Sequence, residues 1–209
     1  MALHRLIGSL RDATWFDGER ARVYGTMLAI GLAALTLWVC LHPVAPALAG
    51  GDFLSFYAAS TLALGGHAAD VWRPDLHEAA EHAILPGTAG YLAFFYPPPF
   101  LLVCWSLALL PYALSFVTWA IGTTVLALAA VALFLRRAGG KGGLTSLALL
   151  AFPALWINIM TGQNGALSLA LFAAGFALLP RRPVLAGLVL GLLIIKPQLA
   201  VALPFVLAA

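Results

Sequence analysis

From Tyr112 to Leu135, and again from Tyr24 to Leu41, the chain carries no charged residue. A helix needs about 20 such residues to cross a hydrocarbon core of about 30 Å, so both runs read as membrane spans. Gly165 to Leu179 approaches that length, and Leu144 to Ile159 and Val184 to Ile195 are shorter apolar runs. A soluble domain is excluded by composition: 63% of residues are hydrophobic and 9% charged, where a water-facing surface draws on roughly a quarter charged residues. A transmembrane barrel would show short alternating strands instead of long unbroken runs. The expected fold class is therefore an all-α polytopic membrane protein with about five to six transmembrane helices.

Charge placement orients these spans. Every acid precedes residue 82, and Asp52, Asp70, Asp75, Glu78 and Glu81 share the long polar segment between His42 and Tyr96 with a single base, Arg73. Arg5, Arg11, Arg20 and Arg22 occupy the N-terminal tail, while Arg136, Arg137 and Lys141, then Arg181 and Arg182, occupy later connections. The positive-inside rule puts these basic parts in the cytoplasm and the acidic loop outside. Between Arg22 and Arg136 the number of crossings must then be even. Pro111 splits the run from Pro98, and the first piece, "PPFLLVCWSLALL", has about 13 residues rising only about 20 Å as a helix. It is expected to lie in the outer interface, leaving Tyr112 to Leu135 as the second span. The expected layout is a tail (1–23), a first span (24–41), an external loop with interfacial helices (42–111), and further spans (112–209). On that layout "NIMTGQNG" and "KPQ" emerge on the same outer face as Asp52 and Tyr96.

Ala47-Leu48-Ala49 has the form of a signal-peptidase site after an apolar run, although the preceding tail and run are long for a signal peptide. Cys40, in the first span, and Cys104, in the interfacial run, suit small buried hydrophobes better than a disulfide or metal framework.

Inside the external loop, Phe53, Phe56, Tyr57, Thr61 and Leu64 recur at helical spacing, predicting an amphipathic helix on the membrane surface that ends at Gly65-Gly66. Asp52 falls at its N-cap, where capping alone would account for a carboxylate. A second helix is predicted from Pro74 to Leu85. There His77 and Glu81, or Glu78 and His82, stand four apart, a spacing open to a metal, but an exposed polar face is the better expectation because no further ligand cluster is evident. Phe94, Phe95 and Tyr91 read as interface anchors.

Taken in order, "GGDFLSFYAASTLALGG", "VW", "FFYPPPFLLVCWSLALLPYALSFVTWA", "GQNGALSLAL" and "AGLVLGLLIIKPQ" resemble glycosyltransferase family 87, membrane mannosyltransferases of the GT-C type. The resemblance runs from about Tyr24 to Ala209. It implies an inverting transfer of a sugar, usually mannose, from a polyprenyl phosphate carrier to an extracytoplasmic lipid or glycan acceptor; no nucleic acid partner, cofactor or metal ligand is assigned, and a metal requirement stays open. Asp52 matches the catalytic acid of the first external loop in GT-C enzymes and would take the acceptor proton as general base. Lys196, the one cation among the external motifs after Arg73, would bind the departing phosphate, with snorkelling to the interface as the competing role. Gln163 and Asn164 offer amides suited to sugar hydroxyls, and Tyr96 stands beside the triple proline. Family members are about twice as long, so the resemblance implies an N-terminal half, expected to be inactive alone. A transporter or lipid flippase, with Lys196-Pro197 marking a broken helix, and a noncatalytic membrane subunit are the other function classes open at this point.

Overall fold

The computed structural model describes residues 17–41, 51–88, 90–139 and 147–208, and all of its regular elements are helical. Helix α1 spans Gly18–Leu41. It starts ahead of Tyr24 because Asp17 caps it: Oδ1 accepts the N–H groups of Glu19 at 3.1 Å and Arg20 at 2.8 Å. The Ala47-Leu48-Ala49 triplet and Lys141 lie outside the described residues. Helices α2 (Gly51–Leu64), α3 (Pro74–Ile84) and α4 (Pro98–Cys104) follow, with 3₁₀ turns at Ala68–Trp72 and Leu107–Leu109. The long α5 (Tyr112–Arg137) comes next, then α6 (Pro153–Thr161), α7 (Gly165–Leu178) and α8 (Pro183–Gly191). A 3₁₀ turn (Leu192–Ile195) leads to the short α9 (Pro197–Ala200) and α10 (Leu203–Ala208).

Two helices are long and apolar enough to cross a bilayer, Gly18–Val39 and Tyr112–Arg137. The outward face of α1 carries Met27, Ile30, Leu37 and Trp38 exposed, surface that water would penalise and lipid would not. Prolines set several helix starts. Pro153 opens α6 and divides the run expected from Leu144 to Ile159, since a proline favours the first turn and bends the residue before it out of helix. Pro197 acts likewise on Lys196, which sits at φ −131°, ψ 81° between two helical pieces.

The α5–α7 pair is the broadest helix contact. Its seam is made of Ala127, Ala130, Ala166, Ala170 and Ala173, small side chains that let two backbones approach closely as membrane helices do. At Gly175 the next neighbour, Leu190 of α8, packs on bare backbone: a Cβ there would fall 2.5 Å from its side chain.

Helix α2 departs from expectation. Instead of lying amphipathically on a surface, it buries Phe53, Leu54, Ser55, Phe56, Ala58, Ala59 and Ser60, nearly all round. It packs on α3, α4, α6 and both early 3₁₀ turns. The reason is local: Phe56 meets Phe100 at 5.0 Å, Tyr96 at 5.3 Å and Trp119 at 6.0 Å between ring centroids, all edge-on. Each such edge-on pair is worth about 0.5–1.5 kcal/mol beyond the area it buries, which favours the inward placement. Ser60 Oγ completes the seating, donating to the Trp105 carbonyl at 2.8 Å and accepting the Ala108 N–H at 2.9 Å.

Two further expectations are corrected. His77 and Glu81 do not belong to an exposed polar face; both are 0% exposed, whereas His82 is exposed and Glu78 half-buried. The α3 face that carries them is turned onto α2, where Ser55 partners His77. Phe94 is not an interface anchor but a core residue stacked near Phe100, while its neighbour Phe95 is 90% exposed. The piece from Pro98 is, as expected, too short to span, and Leu102, Trp105 and Leu109 stand exposed along it.

Candidate functional site

A cavity of about 1030 Å³ opens where α2, the extended stretch 91–97, the α6–α7 turn and the Lys196 break meet. Its walls include Asp52, Ser55, Trp72, Tyr96, Gln163, Pro197 and Gln198. Residues far apart in sequence reach it for separate local reasons.

Asp52 sits in the first turn of α2, one residue inside the described start at Gly51 and not at the N-cap. There it complements the helix dipole. It is half-buried and forms no ion pair or hydrogen bond among the described residues, so its carboxylate is available to the cavity. Gln163 is placed by a helix C-cap. Gly162 ends α6 at φ +69°, a conformation that favours glycine, and the Gln163 N–H closes the turn on the Asn158 carbonyl at 3.0 Å. The turn is pinned from two sides: Trp119 Nε1–H donates to the Gly162 carbonyl at 2.8 Å, and Asn158 Oδ1 accepts the Ala166 N–H at 3.1 Å. A Cβ on Gly162 would lie 2.5 Å from the Cβ of Phe53. The residue after Asp52 is thus pressed against the residue before Gln163.

Tyr96 donates a long hydrogen bond, 3.4 Å, to Gln163 Oε1, which also accepts the Asn164 N–H at 3.1 Å. Burial first, and the charge of Asp52 second, push the Tyr96 phenol up to about 12. It remains a neutral hydrogen-bond donor at physiological pH. The Tyr96 carbonyl accepts from Trp72 Nε1–H at 2.8 Å, which fixes the stretch that carries it. Asn164 lies beneath the cavity wall, 0% exposed; neither atom of its amide has a hydrogen-bond partner among the described residues, and it does not cap α7 with its side chain. Lys196 is half-buried between Ile195 and Pro197, both of which line the cavity, and lies within the electrostatic reach of Asp52. The structure therefore gathers Asp52, Tyr96 and Gln163 on one cavity, with Lys196 at its edge and Asn164 behind it.

Residues 94–209 match the family model described as glycosyltransferase family 87. The chain belongs to that family. No curated protein and no solved structure matches it. As a family 87 glycosyltransferase with two membrane-length apolar helices, it is membrane-associated and acts on a sugar donor and an acceptor. The match begins at Phe94, so it covers Tyr96, Gln163, Asn164 and Lys196 but not Asp52 or α2.

Sequence reasoning did not single out Ser55 or Trp72, both in the cavity wall, and it set His77 and Glu81 in solvent. The one signal available for the last two was their i, i+4 spacing. No group of three His, Cys, Asp or Glu side chains suited to a metal occurs among the described residues.

Proposed function

We propose that this family 87 member is a polyprenyl-phosphate-dependent, inverting glycosyltransferase, with mannose the expected sugar and a lipid or glycan hydroxyl on the extracytoplasmic side as acceptor. The observation that carries this reading is a carboxylate, Asp52, in the cavity wall and a cation, Lys196, between two lining residues and within its electrostatic reach, although the two are far apart in sequence. In the reaction the acceptor oxygen attacks the anomeric carbon as its proton passes to Asp52, and the bond from that carbon to the phosphate oxygen breaks. Negative charge grows on the leaving polyprenyl phosphate, where Lys196 stabilises it. Tyr96 and the Gln163 amide supply hydrogen bonds to sugar hydroxyls, and the buried Asn164 amide behind them serves to hold Tyr96 rather than to touch the ligand. A chain of about five to six crossings accommodates this arrangement with the cavity at the outer surface.

The test is transfer of labelled sugar from polyprenyl phosphate in membranes containing the protein. Lys196→Gln is expected to lower kcat/KM for the donor by about 10-fold, mostly through kcat, the loss of one charge-assisted contact of about 1.5 kcal/mol. No transfer from a polyprenyl phosphate sugar to any lipid or glycan acceptor would remove the reading.

Topology is checked separately. Single cysteines placed beside Asp52, Gln163 and Lys196 are expected to react with an impermeant thiol reagent from outside, and those beside Arg136 and Arg181 only after the cytoplasmic face is opened. Gln163 and Lys196 labelled from opposite sides would be incompatible with one convergent site.

A further inference from the structure

We infer that Ser55 is a substrate-contacting hydrogen-bond donor, and that the buried His77–Glu81 pair sets the direction of its hydroxyl. The inference rests on the transferase reading above. Ser55 lies one helical turn after Asp52 and lines the same cavity. Its Oγ is 3.2 Å from His77 Nε2, and that same nitrogen is 3.4 Å from Glu81 Oε1. Glu81 Oε2 accepts the Leu92 N–H at 3.0 Å. His77 and Glu81 are 0% exposed, and burying such a pair gives less stability than apolar side chains of similar volume would.

The direction follows from electrostatics. A hydroxyl has one proton to give and two lone pairs. A carboxylate beside Nε2 favours a proton on that nitrogen, since two lone-pair-bearing atoms facing each other repel. Nδ1 agrees: it is buried with no partner among the described residues, tolerable for a bare lone pair and costly for an N–H. With Nε2 protonated, Ser55 Oγ accepts from His77, and its own proton is released toward the cavity. Ser55 therefore donates to a ligand oxygen, while Asp52 one turn away accepts. His77 and Glu81 are positioning residues that never touch the ligand.

Glu81→Gln separates this from a structural role. The Gln carbonyl can still accept from Leu92, which turns its NH₂ toward His77. A donor there removes the carboxylate's preference for a proton on Nε2, so His77 no longer holds Ser55 Oγ as an acceptor and the hydroxyl is no longer aimed at the cavity. Ser55→Ala is expected to raise KM for one of the two substrates about 3- to 10-fold with kcat within about twofold, the worth of one neutral hydrogen bond. Glu81→Gln should do the same, and the double variant should be no worse than either single one. Effects that multiply in the double variant would make the pair merely structural and overturn the inference. Should Glu81→Gln fail to accumulate, Ser55→Ala decides alone: unchanged KM for both substrates overturns it. Wild-type membranes that transfer no sugar would instead count against the transferase reading.

Discussion

On the proposed mechanism, Asp52→Asn is expected to slow sugar transfer about 10²- to 10⁴-fold, the usual cost of losing a general base, while the protein accumulates at the wild-type level. The two halves of that result come from different features of the structure. Asn has the shape of Asp but an amide that does not take up an acceptor proton at neutral pH, so the chemical step loses its proton sink. Stability changes little because Asp52 forms no ion pair or hydrogen bond among the described residues. What it loses is the attraction between a charge and the first turn of α2, about 0.3–1 kcal/mol. The measurement is labelled-sugar transfer in membranes, normalised to protein level. Transfer at the wild-type rate would reduce Asp52 to a helix-terminal charge and remove the base from the proposed mechanism.

Phe56→Ala destabilises the protein by about 3–5 kcal/mol, read as a lower midpoint of thermal or denaturant unfolding in detergent. Phe56 is 1% exposed and meets four rings edge-on: Phe94, Tyr96, Phe100 and Trp119. These come from three different parts of the chain, so none can collapse into the space without dragging its own element. Leu102→Ala, which trims a side chain 80% exposed, should stay within about 0.5 kcal/mol. Equal midpoints for the two variants would mean that the ring cluster does not hold this part of the fold together.

The helix positions were readable from hydropathy and from proline. Uncharged runs mark α1 and α5, and Pro98, Pro153, Pro183 and Pro197 each stand at a helix start. What hydropathy did not reveal is which apolar face meets protein and which meets lipid, because both environments select the same side chains. That ambiguity misplaced α2, whose aromatic stripe suited a membrane surface but in fact lies against Phe100 and Trp119. It also misplaced Phe94 relative to Phe95. His77 and Glu81 failed for a different reason: charged side chains are exposed by default, and only the packing of α3 on α2 buries them. The candidate site was legible as separate motifs, Asp52, Tyr96, Gln163 and Lys196. Their meeting at one cavity depends on the Gly162 turn fitting against Phe53, a contact between residues more than a hundred positions apart.

That same contact bears on how a substrate enters the cavity and a product leaves it. With no room for even a methyl group between Phe53 and Gly162, the helix that carries Asp52 and the Gln163 turn are packed as one solid piece. The surrounding rings hold α2 as firmly as any core element, so it is not a lid. The longest part of the cavity wall free of regular structure is the stretch 91–97, tethered by Glu81 at Leu92, by Trp72 at Tyr96 and by the buried Phe94 ring between them, with Phe95 projecting outward. Exchange of substrate and product at the proposed site is therefore expected to turn on small movements around the exposed Phe95 side chain and not on a swing of the helix that carries Asp52.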